Sequence, residues 1–179
     1  MTATISKHST PTVPADDPNR QLGFAQPNTD DSLCHVCVVG DTYTMLLRGK
    51  DTGGKYCLID MHVLPGGGPP PHRHNFEEMF TMLDGEAEFT FRDEKKIVRT
   101  GETINIPANA PHHFTNSSKA PMRMLCVCVP AGQDDFFIEV GDAVATRTSP
   151  PPQKSDAEKK ASMEKSMKLA PQYATELLV

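Results

Sequence analysis

Between Cys34 and Val140 the hydrophobic residues come in short runs of four to nine, many alternating apolar with polar, and turn residues separate them. Alternation of that period places one face of a strand inward and the other outward. The runs CHVCVV, TYTMLLR, KYCLIDMHV, EMFTML, EAEFTF, KKIVRT, TINIP, HHFTN, MRMLCVCVP and FFIEV are read as strands. DTGG before Lys55, Asp84-Gly85, Asp93 and Thr100-Gly101 supply the small and polar residues that tight turns need. About ten strands in roughly a hundred residues require a closed barrel or two facing sheets, so the fold class is all-β.

The flanks have a different texture. Residues 1–31 are rich in Pro, Thr, Asp and Asn with few large apolar groups and read as a flexible N-terminal arm. Residues 32–145 form the barrel. Residues 146–179 begin with the linker TRTSPPPQ and continue into SDAEKKASMEKSMKLA, a short C-terminal helix with Ser155 as N-cap, ending ahead of Pro171. Ala157, Ala161, Met163 and Met167 recur at helical spacing and are expected to form its docking face.

Composition narrows the function. A chain of 179 residues supports one core; 37% hydrophobic residues are enough to pack it, and Pro 16 with Gly 12 favours turns over long helices. The formal charge of −5 supplies neither a basic stripe for nucleic acid nor a polybasic membrane patch. No N-terminal apolar run has the length of a signal peptide, and none approaches the ~18 residues of a membrane span. These features predict a cytoplasmic protein whose partner is a small molecule. Of the five cysteines, Cys126 and Cys128 alternate with valines and share one strand face, as buried reduced thiols do. Cys34 and Cys37 make a Cys-x-x-Cys within a strand-like run, where core packing outweighs zinc binding or dithiol chemistry.

The chemistry concentrates in PGGGPPPHRHNFEEMFTMLDG, residues 65–85. On an extended segment His72 and His74 point the same way with α-carbons roughly 6.6 Å apart, close enough for two imidazoles to meet on one ion. Glu78 has the same parity but would lie about 13 Å further on along a straight strand, so the chain must bend between Asn75 and Glu77 for its carboxylate to join them. The three prolines before His72 disfavour a helical alternative. Downstream, GETINIPANAPHHFTN offers His112 and His113, of which one can face inward.

These residues resemble the cupin family. The first cupin motif, Gly, five residues, His-x-His, three or four residues, Glu, six residues, Gly, is filled by Gly66, His72, His74, Glu78 and Gly85. The second is filled by Gly101, Pro107, His112 and Asn116, with Asn109 standing where the motif has glycine; asparagine tolerates the left-handed backbone such a position uses. The resemblance covers about Thr42 to Val140 and is similar, within cupins, to small quercetin dioxygenase-like proteins. It implies a double-stranded β-helix (jelly-roll) barrel and one divalent transition metal per chain (Fe, Mn, Ni, Co, Cu or Zn) held by His72, His74, Glu78 and His112. Three imidazoles and a carboxylate leave positions open for substrate. Phe80, Met82 and Phe114 share parity with ligands and are expected to line the pocket, while Glu77 and His113 face away. The functional expectation is a dioxygenase acting on a small enolisable or phenolic compound, with Glu78 either staying bound as the fourth ligand or swinging off to take a substrate proton. A redox-silent isomerase, cyclase or lyase, and a metal-dependent small-molecule-binding module, stand as alternatives. Cupins commonly exchange terminal strands, which together with the N-terminal arm implies a homodimer.

Overall fold

The computed structural model describes residues 12–178; the first part of the expected N-terminal arm lies outside them. The elements in chain order are β1 (Cys34–Val38), β2 (Asp41–Leu47), the single turn α1 (Gly49–Thr52), β3 (Cys57–Val63), β4 (His72–His74), β5 (Glu77–Asp84), β6 (Glu86–Phe91), β7 (Glu94–Arg99), β8 (Thr103–Ile106), β9 (His112–Thr115) and β10 (Met122–Val129). They continue through α2 (Gln133–Val140), β11 (Asp142–Ala143), α3 (Asp156–Leu169), a 3₁₀ turn (Ala170–Tyr173) and β12 (Thr175–Leu177). Two antiparallel sheets result, one of seven strands ordered β11-β1-β2-β3-β10-β5-β8 and one of five ordered β12-β4-β9-β6-β7. These are the two facing sheets that the strand pattern allows and the jelly roll that the resemblance implies.

Alternation along each strand builds the space between the sheets. On β10 the buried residues are Met122, Met124, Cys126 and Cys128, and on β5 they are Glu78, Phe80 and Met82, so the inner face of these two strands is apolar except where Glu78 interrupts it. Phe80, Phe89 and Phe114 come together across the interior with ring centroids 5.2 to 5.6 Å apart. Such aromatic clusters lock two sheets together by burying large areas in tilted and edge-on contact.

The run FFIEV is helical rather than extended. Gly132 and Gly141 bracket α2, and Phe136, Phe137 and Val140 recur at helical spacing on its buried face, where Phe137 packs on Tyr43 at 4.9 Å. A five-residue apolar run carries too few residues for periodicity to separate the two conformations. α3 forms where expected, with Ser155 and Glu158 in a reciprocal capping box. Of its expected docking face only Met163 is half-buried, while Ala157, Ala161 and Met167 are exposed and Ser162, Ser166 and Leu169 are half-buried instead. No residue of α3 is fully buried, so its binary pattern was too weak to orient it.

Residues 12–33 contain no strand or helix. They touch the rest of the protein through Arg20, which donates to the Asp51 carbonyl at 3.2 Å, and Asn28, which accepts from Arg147 at 2.9 Å. Among the described residues no helix is long and apolar enough to cross a membrane.

Candidate metal centre

The chain changes sheets between His74 and Glu77: β4 belongs to the five-stranded sheet and β5 to the seven-stranded one. The bend expected at Asn75 and Phe76 is therefore the crossing itself, and it brings Glu78 back to the histidines. His112 arrives from β9, where it is the register partner of His72. The ligand atoms of His72, His74, Glu78 and His112 lie within 4.8 Å of one another, and all four side chains are buried. The four residues form a group that could bind a metal.

Each imidazole is oriented by a backbone carbonyl close by in sequence. Nδ1 of His72 donates to Pro70 O, Nδ1 of His74 to Phe76 O, and Nδ1 of His112 to Ala110 O, all at 2.9 Å. With the proton fixed on Nδ1, a neutral ring turns its Nε2 lone pair inward. Nε2 of His74 and of His112 then stand 3.0 and 3.1 Å from Glu78 Oε2. Lone pairs opposed to an anionic oxygen are unfavourable unless a cation lies among them, so the donor set fits a divalent ion by its own electrostatics.

Without an ion among them, burial raises the pKa of Glu78, but a proton on Nε2 of His112 and of His74 would make both rings charged donors to the carboxylate, and these contacts outweigh burial and hold the carboxyl below its usual range. Burial, aided by His112, lowers His72 to about 4, which keeps it a neutral donor at physiological pH. Phe76 stacks on the His74 ring at 3.8 Å with the planes 3° apart and fixes its plane.

The turn carrying His112 is held in place by Glu77. That exposed carboxylate accepts from Asn105 Nδ2 at 2.7 Å and from the Ala108 N–H at 3.1 Å. Solvent was its expected surrounding; its role in the turn went unseen because both partners are some thirty residues away. Asn109 has φ +69°, the left-handed conformation anticipated for it. His113 lies on the other face of β9, half-buried. Behind Glu78 stand two thiols: Cys126 Sγ is 3.2 Å and Cys128 Sγ 3.8 Å from Oε1. Burial pushes Cys126 up to about 12, and all five cysteines are free. Register explains the approach, because Cys128 is paired with Glu78 across β10 and β5. Cys34 and Cys37 sit three apart on β1 and so point to opposite faces.

His72 and Glu78 open onto a cavity of about 470 Å³. Phe80 and Phe114 are on its wall; Met82 is buried in the core and is not among the lining residues. Sequence reasoning missed Tyr43, Met61, Phe136 and Phe137, which complete the apolar wall, and the roof, to which Pro151, Pro152, Met163 and Leu177 contribute. Phe136 and Phe137 belong to the apolar run FFIEV, which reaches the cavity as part of a helix.

A two-sheet jelly roll with three histidines and a glutamate turned into its interior defines a barrel protein with a group that could bind a metal. Residues 59–128 match the family model for the cupin domain, and the two-sheet fold and both motifs agree with that match. It is 34% identical over 79 residues to an uncharacterized protein of Methanocaldococcus jannaschii, covering 44% of this chain and 63% of that one. Its identity to quercetin 2,3-dioxygenase of Bacillus subtilis is 30% over 76 residues, covering 42% of this chain and 23% of that enzyme. The chain thus spans less than two thirds of the length of either relative. Among solved structures it resembles an RmlC-like cupin from Shewanella frigidimarina (TM-score 0.52, 13% identity, 64% of this chain and 99% of that one). It also resembles a predicted oxalate decarboxylase from Thermotoga maritima (TM-score 0.52, 18% identity, 60% and 99%). Likeness at these identities shows the barrel fold.

Proposed function

We propose that this cupin is a metal-dependent oxidoreductase of the dioxygenase type acting on a small enolisable or phenolic compound, with His72, His74, Glu78 and His112 as ligands of one divalent ion. The observation that carries the reading is the union of a His₃Glu cluster with an aromatic-walled cavity: His72 and Glu78 line the same space as Phe80, Phe114 and Phe137. The partial similarity to quercetin 2,3-dioxygenase supports the same substrate class. A transition ion in the cluster would supply an open coordination position and, if redox-active, access to dioxygen chemistry.

The chain's own residues do the rest. The carbonyls of Pro70, Phe76 and Ala110 hold the three Nδ1 protons, so the imidazoles cannot rotate away from the centre. The apolar wall excludes water and receives a flat ring. Glu78 accepts the proton of an acidic enol or phenol at a carboxylate oxygen, with Cys126 as a neutral donor to Oε1 behind it. Exposed Val13, Leu22 and Phe24, at 95%, 93% and 75%, support an arm that packs on a second copy, and a cytoplasmic homodimer completes the reading.

Oxygen uptake with flavonols tests the proposal, measured on protein loaded in turn with iron, manganese, cobalt, nickel, copper and zinc. Turnover with a redox-active ion is expected, and Glu78→Gln is expected to lower it about 10²- to 10⁴-fold while part of the metal stays bound. Turnover unchanged in Glu78→Gln removes the acid–base role. Stoichiometric native zinc without oxygen uptake moves the reading to redox-silent chemistry, and a monomeric mass in light scattering removes the dimer.

A further inference from the structure

Gln133 is the first residue of α2, and it lines the same cavity as His72 and Glu78 while being 3% exposed. Its Oε1 is buried and has no hydrogen-bond partner among the described residues. A buried carboxamide oxygen without a donor is costly, and most such atoms in folded proteins find one. The neighbouring chain gives it no freedom to move out. Asp134 accepts from the Gly49 N–H at 2.9 Å through Oδ2 and from the Gly132 N–H at 3.2 Å through Oδ1, and Asp135 pairs with Arg48 at 2.6 Å. The two residues directly after Gln133 thus tie the start of α2 to the rest of the barrel, and the buried side chain is left at the cavity wall.

We infer that Gln133 is a specificity-determining residue that reads a hydroxyl group on the bound small molecule, the hydroxyl donating to Oε1. The inference rests on the phenolic reading of the cavity and extends it: the ligand carries an apolar, ring-like body for the wall of Tyr43, Phe114, Phe136 and Phe137, and a second oxygen function besides the one that faces His72 and Glu78. A site holding an unpartnered acceptor discriminates through what the wrong ligand leaves unpaired, because a ligand without the donor keeps Oε1 buried and unsatisfied. Preorganisation by Asp134 and Asp135 lowers the ordering cost of that contact.

The test uses the full-length, zinc-loaded protein, in which turnover is silent, with 3-hydroxyflavone and its singly ring-hydroxylated derivatives as probes in titration calorimetry. At least one derivative is expected to bind about 10-fold or more tightly than the parent, a preference of one well-made hydrogen bond. In Gln133→Met, unbranched and of similar length, that ratio is expected to fall to about one with the affinity for the parent kept within about two-fold. No preference in the natural chain, or the same preference in Gln133→Met, would overturn the inference. A melting curve gives a second reading free of any ligand. If the carboxamide serves a ligand, Gln133→Met melts at or above the natural chain; a clear fall in melting temperature would assign Gln133 to the fold and overturn the proposal. Should no flavone bind the natural chain while Gln133→Met melts higher, the phenolic reading fails alone and the melting result continues to support Gln133 as a ligand group.

Discussion

Replacing Asn116 by Asp exchanges one amide nitrogen for an oxygen and barely changes the side chain's shape, so its cost isolates hydrogen bonding from packing. Asn116 is wholly buried. Its Nδ2 donates to Val63 O at 3.0 Å and to Ala120 O at 2.9 Å, while Oδ1 accepts from the Ser118 N–H at 3.0 Å and from Ser118 Oγ at 2.7 Å. Aspartate keeps both acceptor contacts and turns an oxygen toward two carbonyls. Two lost bonds at about 1 kcal/mol each, plus about 1–2 kcal/mol for the buried Val63 carbonyl facing another acceptor, give a loss of about 3–4 kcal/mol. For a chain of this size that is about 6–16 °C in melting temperature. Ser118→Ala removes contacts at the half-exposed end only and is expected to cost no more than about 1 kcal/mol. Thermal and urea melts of metal-free protein followed by circular dichroism measure both. A loss under about 1 kcal/mol for Asn116→Asp would mean that the buried donor is not what holds this turn.

Two further outcomes follow from the loop leading into β4. Gly68 has φ +135°, and a Cβ there would sit 2.1 Å from the Phe114 carbonyl oxygen, whereas Gly66, at φ +77°, has nothing within 4 Å. Gly68→Ala is expected to cost about 3 kcal/mol or more and Gly66→Ala about 1 kcal/mol, and equal melting shifts would show that contact with Phe114 is unimportant. Asp41 accepts from the Leu64 and Gly68 N–H groups at 2.9 and 2.8 Å, and burial raises its pKa from 3.8 to about 6 despite them. The folded chain takes up this proton near pH 6 and the unfolded chain near 3.8. The contribution of Asp41 to stability is therefore greatest below 3.8, declines as pH rises through that interval and is level above 6, by roughly 3 kcal/mol at most. The stability difference between the natural chain and Asp41→Asn should trace this decline between pH 4 and 7; a flat difference refutes the assignment.

The ligand cluster was legible because its information is local and rigid. His72 and His74 are set by strand parity and the Glu78 carboxylate by a bend that parity itself demanded, while His112, which parity left level with His113, was singled out by the spacing of the second cupin motif. The cavity's outer half was not legible. Gln133 is one polar residue before a short apolar run and acquires meaning only when α2 is laid against Tyr43 and the barrel mouth. α3 is charged at almost every other position and buries nothing fully, so no stripe pointed to Ser162 and Met163. The approach of Cys126 and Cys128 to Glu78 is a matter of register between β10 and β5, which alternation along either strand leaves undetermined.

β12 pairs with β4 so that Thr175 lies opposite His74 and Leu177 opposite His72, while the N–H groups of Asn75 and Leu178 are received by the carbonyls of Ala174 and Pro71. β4 is only three residues long and, in its sheet, has β9 on one side and β12 on the other. Were β12 displaced, the strand bearing two histidines would become a free margin of unpaired backbone groups, able to zip onto the same strand of another molecule. The segment that seals the barrel there therefore also keeps the strand of His72 and His74 from acting as a template for association. An extension grafted beyond Leu178 that pulled on β12 would show its effect as turbidity before any change in the shape of the cavity.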